Sequence, residues 1–145
     1  VYKGFLGAGM SIPVGGNVFV ALRESEQNEF TAKVLEDYCD AGFTLYATDE
    51  TIDFIRNSGM DVNAIDYETA QEWITNHDAD SNEKISLVIN VPTVANRKEI
   101  DSFPVRRKAI ERGISVMTCM DTAWAMLKAI KLKQAGVQLD YELLD

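Results

Sequence analysis

Strand-length apolar runs alternate with segments of helical periodicity along most of the chain. The strand-length runs are NVFVAL (17–22), FTLYA (43–47), DVNAI (61–65), ISLVIN (85–90) and ISVMT (114–118). In the segments between and after them, apolar residues recur at the spacing of one helix face. The branched apolar run in ISLVIN is typical of a strand in the buried middle of a parallel sheet. The pattern predicts a chain in which each strand is followed by a helix.

The first two predicted helices end at glycines. NEFTAKVLEDYCDAG follows the first strand, and Gly42 terminates its helix as a C-terminal cap. TIDFIRNSG is a shorter helix that ends at Gly59. The residues expected on the buried face of the first helix are Phe30, Val34, Leu35 and Tyr38. A third helix is expected to run through Tyr67, Trp73 and Ile74.

The last two predicted helices flank the fifth strand. In DSFPVRRKAIERG, Ser102 is expected to cap the helix, Pro104 to lie in its first turn and Gly113 to end it. In the final segment, Asp121 is expected to cap the helix TAWAMLKAIKLKQAG. Its inward-facing residues are expected to be Trp124, Leu127 and Ile130.

Five successive strand–helix units predict an α/β fold, a three-layer, doubly wound sheet of about five parallel strands with helices on both faces. The length of 145 residues and the hydrophobic content of 46% suit one compact domain. Residues 1–16 are rich in glycine and have no clear period, so we interpret them as a connector and residues 17–145 as the domain. A chain that starts with Val1 is expected to be a fragment of a longer one.

The charge balance restricts the partners. The net charge is −9 and the isoelectric point is near 4.6. Long-range repulsion therefore disfavours binding to nucleic acid or to an anionic membrane surface. No run approaches the roughly 20 apolar residues of a membrane span, and the N-terminus lacks a signal-peptide pattern. We expect a soluble, cytoplasmic protein with small-molecule or protein partners.

Cysteine and histidine content predicts no metal site. Cys39 and Cys119 form neither a CxxC pair nor a disulfide framework, and both lie in apolar-patterned segments. We expect both to pack in the core. His77 lies in the polar run TNHDADSNEK, which is typical of a solvated loop.

The carboxyl ends of the predicted strands are where parallel α/β sheets bind ligands. The short run LYATDET places Thr48 and Thr51 there, where two hydroxyls and a helix N-terminus can hold an anion. Asp49 and Glu50 stand between them and repel phosphate, so an ordinary helix cap is the alternative. The other polar residues at strand ends are Arg23 and Glu24, Tyr67, Asn90 and Thr93, and Thr118.

An ordered set of short segments resembles one protein family. The segments are VFVALRES, AGFTLYATDET, LVINVP and VRRKAIERGI, preceded by YKGFLGAGMSIP. Together they resemble the C-terminal methylglyoxal-synthase-like domain of the carbamoyl phosphate synthetase large subunit. The resemblance implies a non-catalytic domain that binds an allosteric effector, with residues 1–16 leading from the upstream synthetase domain.

The resemblance also implies what the rest of the enzyme does. The parent makes carbamoyl phosphate from bicarbonate, ATP and ammonia for pyrimidine and arginine synthesis, with a glutaminase small subunit or domain as partner. ATP and Mg or Mn would be held by other domains of the parent, so no cofactor or metal is expected in this fragment, and no catalytic residue.

The family's effector residues transfer to particular positions. Thr48 and Thr51 match the threonines that hold the effector phosphate or carboxylate, and Asn90 matches the asparagine that begins the strand-four loop. Arg106 matches the first arginine of the family's IRR run. The positions where the urea-cycle form has asparagines at its acetylated activator are Thr93 and Ser102.

Two positions depart from the nucleotide-binding forms. Gln27 and Tyr67 stand where those forms have lysines, which weakens the expectation of a bound phosphate. The urea-cycle form has tryptophan at the position of Tyr67, so an aromatic wall over a flat ligand is an alternative. A domain with only a packing or oligomerisation role also stays open. A methylglyoxal-synthase-type lyase is disfavoured, because Asp49, Glu50 and IDYETAQ replace the phosphate contacts and the segment that carries the base.

Overall fold

A computed structural model describes residues 12–76, 84–91 and 97–136. Its centre is a five-stranded, all-parallel sheet with the strand order β3-β2-β1-β4-β5. The strands are β1 (Gly16–Leu22), β2 (Phe43–Ala47), β3 (Asn63–Ala64), β4 (Ile85–Val91) and β5 (Ser115–Met117). The predicted α/β fold with a parallel sheet is confirmed. The third strand is shorter than the predicted 61–65.

Helices cover both faces of the sheet. They are α1 (Glu29–Asp40), α2 (Asp49–Asn57), α3 (Tyr67–Thr75), α4 (Arg97–Glu111) and α5 (Met120–Gln134), and a 3₁₀ turn (Glu24–Glu26) follows β1. Helices α1, α2 and α5 pack on one face, and α3 and α4 pack on the other. The chain reverses direction across the sheet between β3 and β4, which places the topological switch point at β1 and β4.

The first face, under α1, α2 and α5, holds the larger apolar core. Alternate residues of the strands point into it, and Tyr38 of α1 is fully buried there. The Tyr38 hydroxyl donates to the carbonyl of Ala123, 2.6 Å away in α5, which links two helices across the core. The large side chains of this core include Val18, Val20, Leu35, Leu45, Ile55, Leu87, Ile89, Met126, Leu127 and Ile130.

The second face, under α3 and α4, has a smaller core with aromatic rings at its margin. Tyr67 of α3 meets Phe19 of β1 edge to face at 5.9 Å between ring centroids, and Trp73 meets Tyr46 at 5.0 Å. The buried residues of this face are Phe19, Ala21, Ile65, Ala70, Ile74, Ile85, Val88, Val105, Ala109 and Val116.

Glycines end three of the helices as the sequence predicts. Gly42, Gly59 and Gly113 follow α1, α2 and α4 with φ of 99°, 88° and 74°. In that left-handed region a side chain is disfavoured, so glycine is the natural residue after a helix.

The end of α5 is tied to the segment before β1. Lys133 Nζ donates to the carbonyl of Ile12 at 2.7 Å, and Gln134 Nε2 donates to the carbonyl of Val14 at 2.8 Å. Ile12 itself is buried in the first core, and Gly16 already belongs to β1. The last residues of the predicted connector therefore pack on the domain.

The start of α4 differs from the prediction. The helix begins at Arg97, so Ser102 and Pro104 both lie inside it and the predicted cap at Ser102 is wrong. A proline within a helix removes one backbone hydrogen bond. The residues before it include good helix formers such as Lys98 and Glu99, which continue the helix upstream despite that loss.

The start of α5 was also predicted wrongly. Its N-cap residue is Cys119, not Asp121, and the helix presents Met120, Ala123 and Leu127 to the core. This phase turns Trp124 outward, where it is 43% exposed. Trp124 packs instead on Phe30, which is also 43% exposed and was expected to be buried.

The two cysteines have different environments. Cys39 is partly buried against the first core, as expected, and burial, with the nearby Asp40, Asp61 and Glu36, raises the pKa of its thiol. Cys119 is exposed, so the prediction that it packs in the core is wrong: as the N-cap residue it lies outside the helix. His77 lies outside the described residues. Of the helices in the described ranges, none is both long enough and apolar enough to cross a membrane.

Candidate functional site

The carboxyl ends of β2, β1 and β4 bring three residues to one level. Ala21 of β1 pairs with Asn90 of β4, and Val20 pairs with Ala47 of β2, so Thr48 follows beside Ala21. Neighbouring strands lie about 4.8 Å apart, which places Thr48 and Asn90 on either side of the β1 backbone, about 10 Å apart. This level is the switch point of the sheet.

Strand alternation turns Thr48 and Asn90 toward the second face. Tyr46 and Val88, two residues earlier on each strand, both pack on that face. Both polar residues are buried, Thr48 to 2% exposure and Asn90 to 4%. The Asn90 Nδ2 atom donates to the Ala21 carbonyl at 2.8 Å, so its Oδ1 atom is oriented as an acceptor.

Buried polar atoms without partners concentrate at this edge. Across the described ranges, four buried side-chain atoms have no hydrogen-bond partner: Thr48 Oγ1, Asn90 Oδ1, Arg23 Nε and Thr31 Oγ1. Arg23 follows β1, and Thr31 lies in the first turn of α1, which also begins at the carboxyl edge. Since buried polar groups are normally hydrogen-bonded, this edge has unfilled capacity to bind a polar ligand.

Thr51 is bonded to the backbone. Its side chain is fully buried, and its Oγ1 atom accepts the Leu22 backbone N–H at 2.9 Å. This bond joins the first turn of α2 to the end of β1. Thr48 is the N-cap residue of α2, but its side chain makes no capping bond. Thr48 and Thr51, which were predicted to have the same role, therefore differ in their hydrogen bonding.

Gln27 fastens the loop after β1 to α2. Its Nε2 atom donates to the carbonyl of Glu50 at 2.9 Å and to the carbonyl of Leu22 at 3.4 Å. The amide thus holds the backbone around the site in place.

A pocket of about 440 Å³ opens beside Thr48, between the start of α2 and the start of α3. Its lining consists of Thr48, Asp49, Glu50, Ala64, Ile65, Asp66, Tyr67, Thr69 and Trp73. The charged members are three carboxylates, and none of the nine is a lysine, arginine or histidine. The pocket is therefore acidic and has two aromatic walls.

Hydrogen bonds fix two of the pocket carboxylates. The Tyr67 hydroxyl donates to Glu50 Oε1 at 2.6 Å. The Asp66 side chain accepts the Thr69 backbone N–H at 2.7 Å as the N-cap of α3. That backbone bond, with the Thr69 hydroxyl, lowers the pKa of Asp66 below its usual value. Asp66 is therefore ionised at neutral pH.

The remaining candidate residues lie elsewhere. Arg106 is half-buried on α4, with its guanidinium carbon 5.5 Å from the Phe103 ring centroid, and it is not among the pocket residues. An Arg23 nitrogen lies 3.4 Å from Glu26 Oε1, and Thr118 is exposed. Ser102 lies inside α4 and Glu24 in the 3₁₀ turn, and neither side chain is described. Thr93 lies outside the described residues.

Asp66 and Trp73 line the pocket but are not among the predicted site residues. Asp66 lies at the carboxyl end of the third strand, directly before the third predicted helix. An aspartate at that position is an N-cap signal, which could have identified it. In the sequence, Trp73 belongs to the apolar pattern of the third helix. No periodicity shows which edge of a tryptophan ring faces a pocket.

Comparisons with known proteins agree with the fold and the resemblance. The family model described as MGS-like domain matches residues 31–118. The carbamoyl phosphate synthase large chain of Clostridium acetobutylicum is 32% identical over 145 residues, which cover 99% of this chain and 13% of that protein. The large chain of Archaeoglobus fulgidus is 31% identical over 130 residues, which cover 90% and 12%. The predicted resemblance is confirmed: the chain belongs to the MGS-like domain family.

Proposed function

We propose that this chain is an effector-binding regulatory domain of a carbamoyl phosphate synthase large chain. Support comes from the relatives, whose sequences it matches over most of its own length but only 12–13% of theirs. In this proposal, other domains of the same chain, with their ATP and metal ions, carry out the synthesis of carbamoyl phosphate. The domain itself contributes no catalytic residue.

The observation that carries the proposal is the pair of partnerless oxygens at the switch point. Thr48 Oγ1 and Asn90 Oδ1 are buried, face the same side of the sheet and have no partner within the described ranges. Leaving such an atom unsatisfied costs about 1–3 kcal/mol. A ligand that fills this edge would recover part of that cost. Asn90 Oδ1 would accept an N–H or O–H of the ligand, and the Thr48 hydroxyl can donate or accept.

Regulation follows if the two states of the synthetase differ at this edge. An effector that binds the active arrangement more tightly, by about 1–3 kcal/mol, shifts the enzyme toward it, and the reverse preference inhibits. The α2 start is a suitable relay, because Gln27 and Thr51 join it to the loop after β1. A shift of the α2 start when a ligand binds at Thr48 would then move the loop after β1 as well.

The setting of the parent enzyme is part of the same proposal. It uses ammonia from a glutaminase partner, serves pyrimidine and arginine synthesis, and operates in the cytoplasm. Arg106, Thr93 and Ser102 stay proposed effector contacts. The effector itself is a small metabolite.

The test compares ligand binding to the 145-residue chain with binding to a Thr48→Val variant. UMP, N-acetylglutamate, arginine and inorganic phosphate are screened by thermal shift and then by calorimetry. Valine keeps the shape of threonine but removes the hydroxyl, so we expect affinity for the binding metabolite to fall by about three- to ten-fold. Thr44→Val, an exposed change on β2, the strand that precedes Thr48, is the matched control and should leave affinity unchanged.

The folded state provides a second control. Because Thr48 Oγ1 has no partner among the described residues, Thr48→Val should leave stability unchanged or slightly higher. Binding that is equal in all three proteins would place the effector elsewhere. Two results together would favour the packing role. The folded chain would bind none of the panel, and its removal from the full large chain would leave the response of the synthesis rate to these metabolites unchanged.

A further inference from the structure

The acidic pocket beside Thr48 differs from an anion site in its charged groups. Asp49, Glu50 and Asp66 supply three carboxylates, and none of the nine lining residues is a cation. A phosphate or carboxylate placed there would meet like charge at short range. The N-terminus of α2 favours anions, but Asp49 and Glu50 in its first turn already occupy that field.

The aromatic walls favour a cation independently of the carboxylates. Tyr67 and Trp73 both line the pocket. Ring faces attract ammonium and guanidinium groups, and tryptophan and tyrosine do so best. The hydrogen bond from Tyr67 to Glu50 holds one ring and one carboxylate together, so both face the pocket without rearrangement.

A buried hydroxyl marks the inner wall. Thr48 lines the pocket, is 2% exposed, and its Oγ1 atom has no partner among the described residues. Its lone pairs can accept an N–H from a ligand, which an ammonium or guanidinium supplies and an unprotonated phosphate does not. The hydroxyl is therefore compatible with the cation that the carboxylates and the rings favour, and it marks unfilled hydrogen-bonding capacity in the pocket wall.

A metal ion is not the cation that this geometry suits. Within the described ranges, no three histidine, cysteine or carboxylate side chains lie close enough to share a metal. The carboxylates are spread along the walls of a volume of about 440 Å³, which fits a small organic molecule.

We propose that the pocket between α2 and α3 binds the ammonium or guanidinium group of a small organic metabolite. The proposal rests on the effector-binding function above and assigns a ligand class to its site.

The test uses three probes of one shape and different charge: benzylamine, benzyl alcohol and benzoate. Each is titrated into the ¹⁵N-labelled chain, and the indole N–H of Trp73 reports occupancy. The other tryptophan, Trp124, lies on the opposite helical layer and is an internal control. We expect benzylamine to bind at least about ten-fold more tightly than benzoate, with benzyl alcohol between them.

Charge-neutralising variants establish that the effect is local. Glu50→Gln and Asp66→Asn keep the hydrogen bonds and the cap, and each should weaken benzylamine by about two- to five-fold. Asp53→Asn makes the same change at an exposed position of α2 outside the pocket and should have little effect. An equal loss in all three would mean that net charge alone attracts the amine, and would overturn the proposal.

The remaining outcomes separate the two proposals. Benzoate that binds as tightly as benzylamine at Trp73 overturns the cation site but leaves an effector site in place. Trp73 resonances that respond to none of the probes overturn the cation site as well. Benzylamine binding that Glu50→Gln weakens, with no change in the rate of the full synthetase, supports the cation site and removes the regulatory role.

Discussion

The two faces of the sheet differ in how their buried polar side chains are bonded, although the first face also has one partnerless hydroxyl, that of Thr31 in α1. On the first face, Tyr38 bonds across the core to the Ala123 carbonyl, and Thr51 accepts the Leu22 N–H. On the second face, Thr48 and Asn90 keep an oxygen without a partner among the described residues, beside an acidic pocket. The first face therefore stabilises the fold, whereas the second carries the capacity to bind a ligand.

Cavity formation in the first core should have the largest effect. Leu35 is fully buried in α1, and Leu35→Ala should lower the free energy of unfolding by about 2–5 kcal/mol. Urea denaturation followed by circular dichroism measures the loss. Affinity of the folded variant for benzylamine should not change. A loss of stability below about 1 kcal/mol would contradict the assignment of this face as the main source of stability.

Removal of the Thr51 hydroxyl should have the next largest effect. Thr51→Val leaves the buried Leu22 N–H without its acceptor, so we expect a loss of about 1–3 kcal/mol in unfolding free energy. Thr51→Ser keeps the oxygen and should restore most of it. The contrast with Thr48→Val is the sharpest comparison, since the two residues are one helical turn apart. If Thr48→Val and Thr51→Val lower the free energy of unfolding equally, the proposed difference between the two hydroxyls is wrong.

The cap of α3 should have the smallest effect. Asp66→Ala removes the acceptor for the Thr69 N–H and should cost about 1 kcal/mol, whereas Asp66→Asn retains a capping oxygen. Thermal or urea unfolding at neutral pH measures both. If alanine and asparagine destabilise equally, the side-chain cap contributes nothing.

The pH dependence of that cap has a definite sign. Bonds to Thr69 lower the pKa of Asp66 in the folded chain. A carboxylate with a lowered pKa stabilises the fold above its unfolded value, about 3.9, and loses that contribution as the pH falls through the folded value. The advantage of wild type over Asp66→Ala should therefore shrink below about pH 4. The advantage of Asp66→Asn over Asp66→Ala should persist, because an amide does not titrate.

Local pattern was enough to predict most of the fold. The five strands, the glycines after α1, α2 and α4, and the parallel sheet all follow from runs of residues that are adjacent in sequence. The errors came where two local signals competed. At α4, Ser102 and Pro104 form a convincing start, but the residues upstream continue the helix. At α5, the helix begins two residues earlier than predicted, and Trp124 lies outside the buried face that Ala123, Leu127 and Ile130 form.

The site was harder to predict because it depends on pairing. Thr48 and Thr51 have the same side chain and similar settings in LYATDET. Only the register of β1 beside β2 brings Leu22 N–H to Thr51 and leaves Thr48 beside Ala21. Likewise, Glu50 and Asp66 come from different helices, and their convergence with Tyr67 on one pocket is a property of the packed structure.

The bonds from the end of α5 to the segment before β1 make distant parts of the chain neighbours. Lys133 and Gln134 hold the carbonyls of Ile12 and Val14. In this respect the polypeptide resembles a closed ring. A circular permutant with a short linker between residues 136 and 12, reopened at the exposed Gly59 turn, would keep every strand neighbour and interrupt only the connection from α2 to β3. The fold therefore depends on the cyclic order of its strands and helices more than on the position of the chain termini.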